Sequence, residues 1–338
     1  MATTTLTLFL GVLALKSTLS FNAEARPQPS DEDLEFEIHK HDFPKDFIFG
    51  TAVSAFQDDI KLMKELKTNG FRFSISWTRI FPHGSVRKGV NKEGVQFYND
   101  LIDELIANEI QPSITLFHWE SPFALEVEYG GFLDERIVED FREFAKFCFE
   151  NFGDRVKNWA TFNEPSVYSV AGYSKGKKAP GRCSPFEVLK CPSGDSSEEP
   201  YKVTHNQILS HLAAVEEFRK CVKCQENGGK IGIVLVSHWY EPKDPNSGKD
   251  VEYARRAPSS TNSDDIGHTY CFLNYVRMCR FLRPLTYGHY PTVMQKDVNV
   301  RLPEFTKEES EKLKKSLDFV GLNYYGAFFT TPLTNINA

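Results

Sequence analysis

Three short stretches of this chain end in side chains that could do chemistry. Asn163-Glu164-Pro165 closes the run Asn158-Trp159-Ala160-Thr161-Phe162, His118-Trp119 closes Thr115-Leu116-Phe117, and Asn323-Tyr324-Tyr325 closes a third apolar run. A carboxyl followed by proline is held out of the right-handed helical region, because the pyrrolidine ring crowds the residue before it. At the end of a buried strand such a carboxyl faces the open rim of a sheet, where it can protonate a leaving oxygen while the adjacent amide holds a hydroxyl. A strand-terminal glutamate taken alone more often anchors a loop. Here an imidazole, an indole, a second amide and two phenols arrive at the ends of neighbouring runs, which suits a sugar between polar groups and flat rings.

Elements that could bring those ends together are legible from residue 47 onward, where short β-branched or aromatic runs alternate with longer helical patterns. The pattern predicts six strands, near 47–52, 71–77, 110–117, 157–162, 231–238 and 318–324. Helices are expected over 58–69, 93–108, 137–152 and 201–225, the last with Ile208, Leu212, Val215 and Phe218 on one face. Connections after the strands are polar and long, notably around 175–200, and those before them are short, the arrangement of barrel enzymes that keep their chemistry at the carboxyl ends of the strands. No repeat or linker divides the chain, so 43–338 reads as one domain.

Composition narrows the function classes. With 338 residues, 41% of them hydrophobic and 25% charged, the chain can bury a large core. Its net charge of -6, with Lys and Arg interleaved among Asp and Glu, offers no basic stripe for a phosphate backbone, so nucleic acid is not an expected partner. The apolar run from Leu6 to Leu15, followed by Lys16 and Ala23-Glu24-Ala25, reads as a signal peptide over 1–25, with an N-terminal extension over 26–42. That run is too short to span a bilayer. The expected location is the secretory pathway, whether outside the cell, in the vacuole or in the endoplasmic reticulum lumen.

Seven cysteines are an odd number for an oxidising compartment. Cys183 and Cys191 bracket a loop that suits a local disulfide. Cys221-x-x-Cys224 has no second pair for zinc and lies in a helical pattern, which favours a structural or free-thiol role. Cys271, Cys279 and His268 are too irregularly spaced to predict a metal site.

Taken together, eight ordered segments resemble glycoside hydrolase family one, specifically its plant β-glucosidases: FPKDFIFGTAVSAFQ (43–57), FRFSISWTRIFPHG (71–84), TLFHW (115–119), EYGGF (128–132), TFNEP (161–165), APGRCS (179–184), PLTYGHYP (284–291) and DFVGLNYY (318–325). The resemblance implies a (β/α)8 TIM barrel with Glu164 as acid/base. It implies that Gln57, His118, Asn163 and the neighbourhood of Trp119 hold the glycone hydroxyls, that Tyr325 hydrogen-bonds the nucleophile, and that Cys183 and Cys191 form the family's loop disulfide. The implied substrate is a small β-D-glucoside with an aromatic or otherwise apolar aglycone, with no metal or organic cofactor. Glutamate rather than glutamine at 164 argues against the thioglucosidase branch.

Three departures qualify that picture. Gln57 runs directly into Asp58-Asp59-Ile60, where the family carries several tens of further residues. The stretch 257–282 does not resemble the family and reads as translated intron or frame-shifted sequence, with a genuine insertion as the alternative. The seventh strand with its Thr-Glu-Asn-Gly nucleophile motif, and the eighth, are absent from these 338 residues. The expectation is therefore an incomplete barrel of about six strands that carries the acid/base and lacks the nucleophile, with a non-catalytic glucoside-binding or interaction protein as the alternative.

Overall fold

A computed structural model of the protein describes residues 44, 47–52, 59–256 and 275–330. Six strands form one sheet: β1 (Gly50–Ala52), β2 (Gly70–Ser74), β3 (Gln111–Phe117), β4 (Asn158–Asn163), β5 (Lys230–Pro242) and β6 (Phe319–Thr330). They lie in sequence order and every neighbouring pair is parallel. The (β/α)8-type architecture is thus present as six of its strands. The helices are α1 (Asp59–Glu65), α2 (Trp77–Ile80), α3 (Lys92–Ala107), α4 (Phe123–Tyr129), α5 (Arg136–Phe152), α6 (Pro165–Tyr173), α7 (Glu199–Lys220), α8 (Val222–Glu226), α9 (Gly248–Arg256), α10 (Tyr275–Tyr287), α11 (Thr292–Val298) and α12 (Lys307–Leu313).

Burial explains why these runs are strands. In β3 every residue after Gln111 is buried, and in β4 every residue after Asn158, as expected of parallel strands covered on both faces. The cover on one side comes from α5, whose Ile137, Phe141, Phe144, Cys148 and Phe152 recur at spacings of three and four and are fully buried. Trp77 stacks on Phe144 at 5.1 Å, and Phe149 meets Trp159 of β4 at 4.9 Å and Phe218 of α7 at 5.2 Å. Beneath the strand ends, Phe117 packs on Phe162, Phe132 and Tyr168 at 5.3, 5.1 and 5.2 Å. Phe117 and Phe162 immediately precede His118 and Asn163, so this cluster fixes the height of both polar side chains. Each such ring pair adds about 0.5–1.5 kcal/mol beyond the area it buries.

Several boundaries differ from those expected. The second strand ends at Ser74, because Trp77 opens α2 and turns into the aromatic core. β5 and β6 run on together, paired as far as Pro242 with Thr330. The single helix expected over 201–225 is two: Cys221 is extended, and a Cys221–Cys224 disulfide staples the end of α7 to α8, which makes this pair a structural bond and not free thiols. Cys183 and Cys191 are likewise bonded. Of the unusual stretch 257–282, the part before residue 275 lies outside the described residues; the remainder opens α10, which buries Cys279 and Phe281. The leader (1–25), the extension (26–42) and Gln57 also lie outside the described residues. Among the described residues no helix is long and apolar enough to cross a membrane, and no group of three His, Cys, Asp or Glu is placed to hold a metal ion.

Candidate active site

Glu164 stands where β4 becomes α6. Its backbone is left-handed (φ 46°, ψ 51°), and Pro165 occupies the first helical position. The proline bars the right-handed conformation that would continue the helix backwards, and the β4–β5 register shifts between Ala160 and Asn163 to admit the turn. A non-glycine residue held left-handed costs about 1–3 kcal/mol. Contacts that offset it are specific: the Glu164 N–H donates to Val234 O at 2.8 Å, and Oε1 accepts from Asn323 Nδ2 at 2.6 Å and from the Tyr325 hydroxyl at 2.9 Å. Only 5% of Glu164 is exposed. Both side-chain bonds fall on Oε1, and no described residue hydrogen-bonds Oε2, so Oε2 is the oxygen on which a transferable proton can sit.

Behind this carboxyl lies Arg72 of β2. Its Nε donates to Thr115 Oγ1 at 2.9 Å, its Nη2 to Asn163 Oδ1 at 2.7 Å and its Nη1 to Asn323 Oδ1 at 3.4 Å. Burial pulls the Arg72 pKa down to about 10, against the opposing pull of Tyr325 and Glu164, so it is still cationic near neutrality. A guanidinium only donates, which settles the orientation of the Asn163 amide: Oδ1 faces Arg72 and Asn323 Nδ2 (3.1 Å), and Nδ2 faces His118. Across that 3.0 Å contact Asn163 Nδ2 donates and His118 Nε2 accepts, placing the imidazole proton on Nδ1. Burial, with Arg72 nearby, lowers the His118 pKa to about 4, which keeps the ring neutral for that role. Trp119 adds its Nε1 donor to Asn163 O at 2.8 Å, from a left-handed backbone of φ 75°. Tyr325 is largely exposed, but partial desolvation of its hydroxyl and the Glu164 charge push the phenol up to about 12, so it remains a donor.

The fold therefore brings His118, Asn163, Glu164 and Tyr325 into one hydrogen-bonded group drawn from β3, β4 and β6. Tyr325 donates to Glu164 itself, where the family resemblance gave it a different carboxylate as partner. Among the described residues, no second carboxylate enters this network. Arg72 and Thr115 were not singled out as site residues from the sequence, and Asn323 was placed at the rim without a role. A signal for Arg72 existed: an arginine between Phe71 and Phe73 in a buried strand must find acceptors at the sheet interior.

A parallel β/α sheet that assembles a carboxyl, two amides, an imidazole and an indole from β4, β6 and the turn after β3 defines the barrel glycosidase class. The model of glycosyl hydrolase family 1 matches residues 56–335, and the chain belongs to that family. It is 59% identical to beta-glucosidase 33 of Arabidopsis thaliana, an alignment that takes in 100% of this chain and 68% of that protein. That alignment runs to 437 positions against a chain of 338, so gaps in this chain interrupt it. Among solved structures, a rice beta-glucosidase is similar at 42% identity and a TM-score of 0.72, over 83% of this chain and 55% of that one. A beta-glucosidase of the fungus Humicola insolens in complex with glucose follows at 40% and 0.68, over 80% and 53%. The chain thus spans about two thirds of the first relative and just over half of the solved enzymes.

Proposed function

We propose that this chain is directed at β-D-glucosides and carries the acid/base half of a retaining glycosidase site, with Glu164 as acid/base. The observation that carries the reading is the pair of neutral donors, Asn323 and Tyr325, on Glu164 Oε1, which leaves Oε2 to meet the glycosidic oxygen. When the proton leaves Oε2 the carboxylate charge is already solvated by those donors, so the transfer needs no reorganisation. Asn163, held by Arg72, and His118, held neutral, are the groups positioned to meet ring hydroxyls, and Trp119 supplies a flat wall beside them. Gln57 is assigned to the same hydroxyls from the motif that it closes.

Retaining hydrolysis takes a second carboxylate about 5 Å from the first. Its absence from the Glu164 network among the described residues favours a second reading, that of a glucoside binder that does not turn over. One experiment separates them. Release of phenol from an aryl β-glucoside by the purified protein, abolished in Glu164→Gln, supports hydrolysis. Saturable quenching of tryptophan fluorescence by glucose without turnover supports binding, and neither signal removes both. For location, the apolar run near the N-terminus and the two disulfides support a secretory route, testable by placing residues 1–25 before a reporter and following its export.

A further inference from the structure

Helix α7 is buried along a turn that ought to be apolar and is not. Gln207, Ser210 and His211 are each 0% exposed. Two are half satisfied: Ser169 Oγ donates to Gln207 Oε1 at 2.8 Å, and Thr161 Oγ1 pairs with His211 Nδ1 at 2.7 Å. The other half is left over, since Gln207 Nε2, Ser210 Oγ and His211 Nε2 are buried without a protein hydrogen-bond partner. Ser210 and His211 follow Gln207 by three and four residues, so each is a neighbour of Gln207 on the helix surface, about 5–6 Å away at Cβ. One buried polar group left unpaired costs about 1–3 kcal/mol, so three along one turn would consume a large part of a domain's net stability of about 5–15 kcal/mol.

We propose that the interface of α7 with α6 and β4 is an internal hydration site, in which ordered water is held by Gln207 Nε2, the Ser210 hydroxyl and His211 Nε2. The chemistry matches: Gln207 Nε2 donates, the hydroxyl does either, and an imidazole bonded through Nδ1 offers Nε2. Three partners are what a buried water ordinarily makes. The site also has a place in the architecture. Ser169, which holds Gln207, lies 3.0 Å from Pro165 O, in the residue after Glu164, so the water braces the first turn of α6 from behind.

A crystal structure of the purified protein tests this by difference density. The expected result is a water peak within hydrogen-bonding distance of at least two of the three atoms. A direct bond among those atoms, or no peak while they stay unpartnered, overturns the proposal. In solution, oxygen-17 relaxation dispersion of water should lose amplitude equal to at least one long-lived molecule in Gln207→Leu relative to the parent. Should that variant fail to fold, Ser210→Ala, which removes only a hydroxyl, provides the same comparison, and unchanged amplitude counts against the site.

Discussion

Arg72 donates to Asn163 Oδ1 at 2.7 Å, and that bond decides which end of the Asn163 amide faces the imidazole of His118. Replacing Arg72 by Met removes the strongest donor to Oδ1 and leaves the 3.1 Å bond from Asn323. Charged hydrogen bonds contribute about 1.5–3 kcal/mol, so Arg72→Met is expected to weaken glucose binding about tenfold or more. Titration calorimetry or fluorescence quenching reads it, and an unchanged affinity would show that Asn163 orients itself without the guanidinium.

The same amide orientation predicts the protonation of His118. Its ring should appear in nitrogen-15 spectra as the Nδ1–H tautomer and stay neutral down to about pH 4, below the ordinary histidine range. A resonance that titrates near 6.5 would contradict the arrangement.

Stability should fall on the acid side of neutrality. His118 and His205 have pKa values lowered to about 4, and His211 to about 3, all chiefly by burial. Each lies below the unfolded value near 6.5, so the unfolded chain binds more protons between the two. The stabilising contribution is complete above about pH 6.5 and is lost as pH drops towards 4. The two buried rings, His205 and His211, each supply on the order of a few kcal/mol of it. Urea midpoints measured from pH 7.5 to 4.5 should decline steadily, and a flat profile would count against neutral burial.

The Cys183–Cys191 bond closes a loop of sequence separation 8 under which Gly176 sits at φ 63°. Removing it by Cys183→Ser with Cys191→Ser should cost about 2–3 kcal/mol. A drop in Tm of several degrees is expected in thermal denaturation, with the Glu164 network little changed. A Cβ at Gly176 would clash with Cys191 Sγ, so Gly176→Ala should destabilise through both strain and contact.

Much of this was readable in the amino acids in order. Parallel strands buried on both faces appear as near-continuous apolar runs, so all six strands could be placed to within a few residues at most ends. Glu164 was legible because a proline after a buried strand has one local consequence, the exclusion of the right-handed helix, and that requires no knowledge of neighbours. Cys183 and Cys191 were legible because a short loop between them keeps their separation small in any fold.

Arg72 and Asn323 could not be assigned roles this way. They lie 251 residues apart and meet only because the sheet brings the non-neighbouring strands β2 and β6 within hydrogen-bonding reach, so their partnership is a property of the sheet's arrangement and not of either segment. The end of β2 at Ser74 depended on Trp77 finding Phe141 and Phe144 on α5, and the choice of Glu164 as Tyr325's acceptor depended on which carboxylate stood within reach. Local sequence determined which side chains stand at strand ends, since steric rules act between adjacent residues. Tertiary structure decided which of them share hydrogen bonds, because a hydrogen bond is fixed by distances that only the packing of distant elements sets.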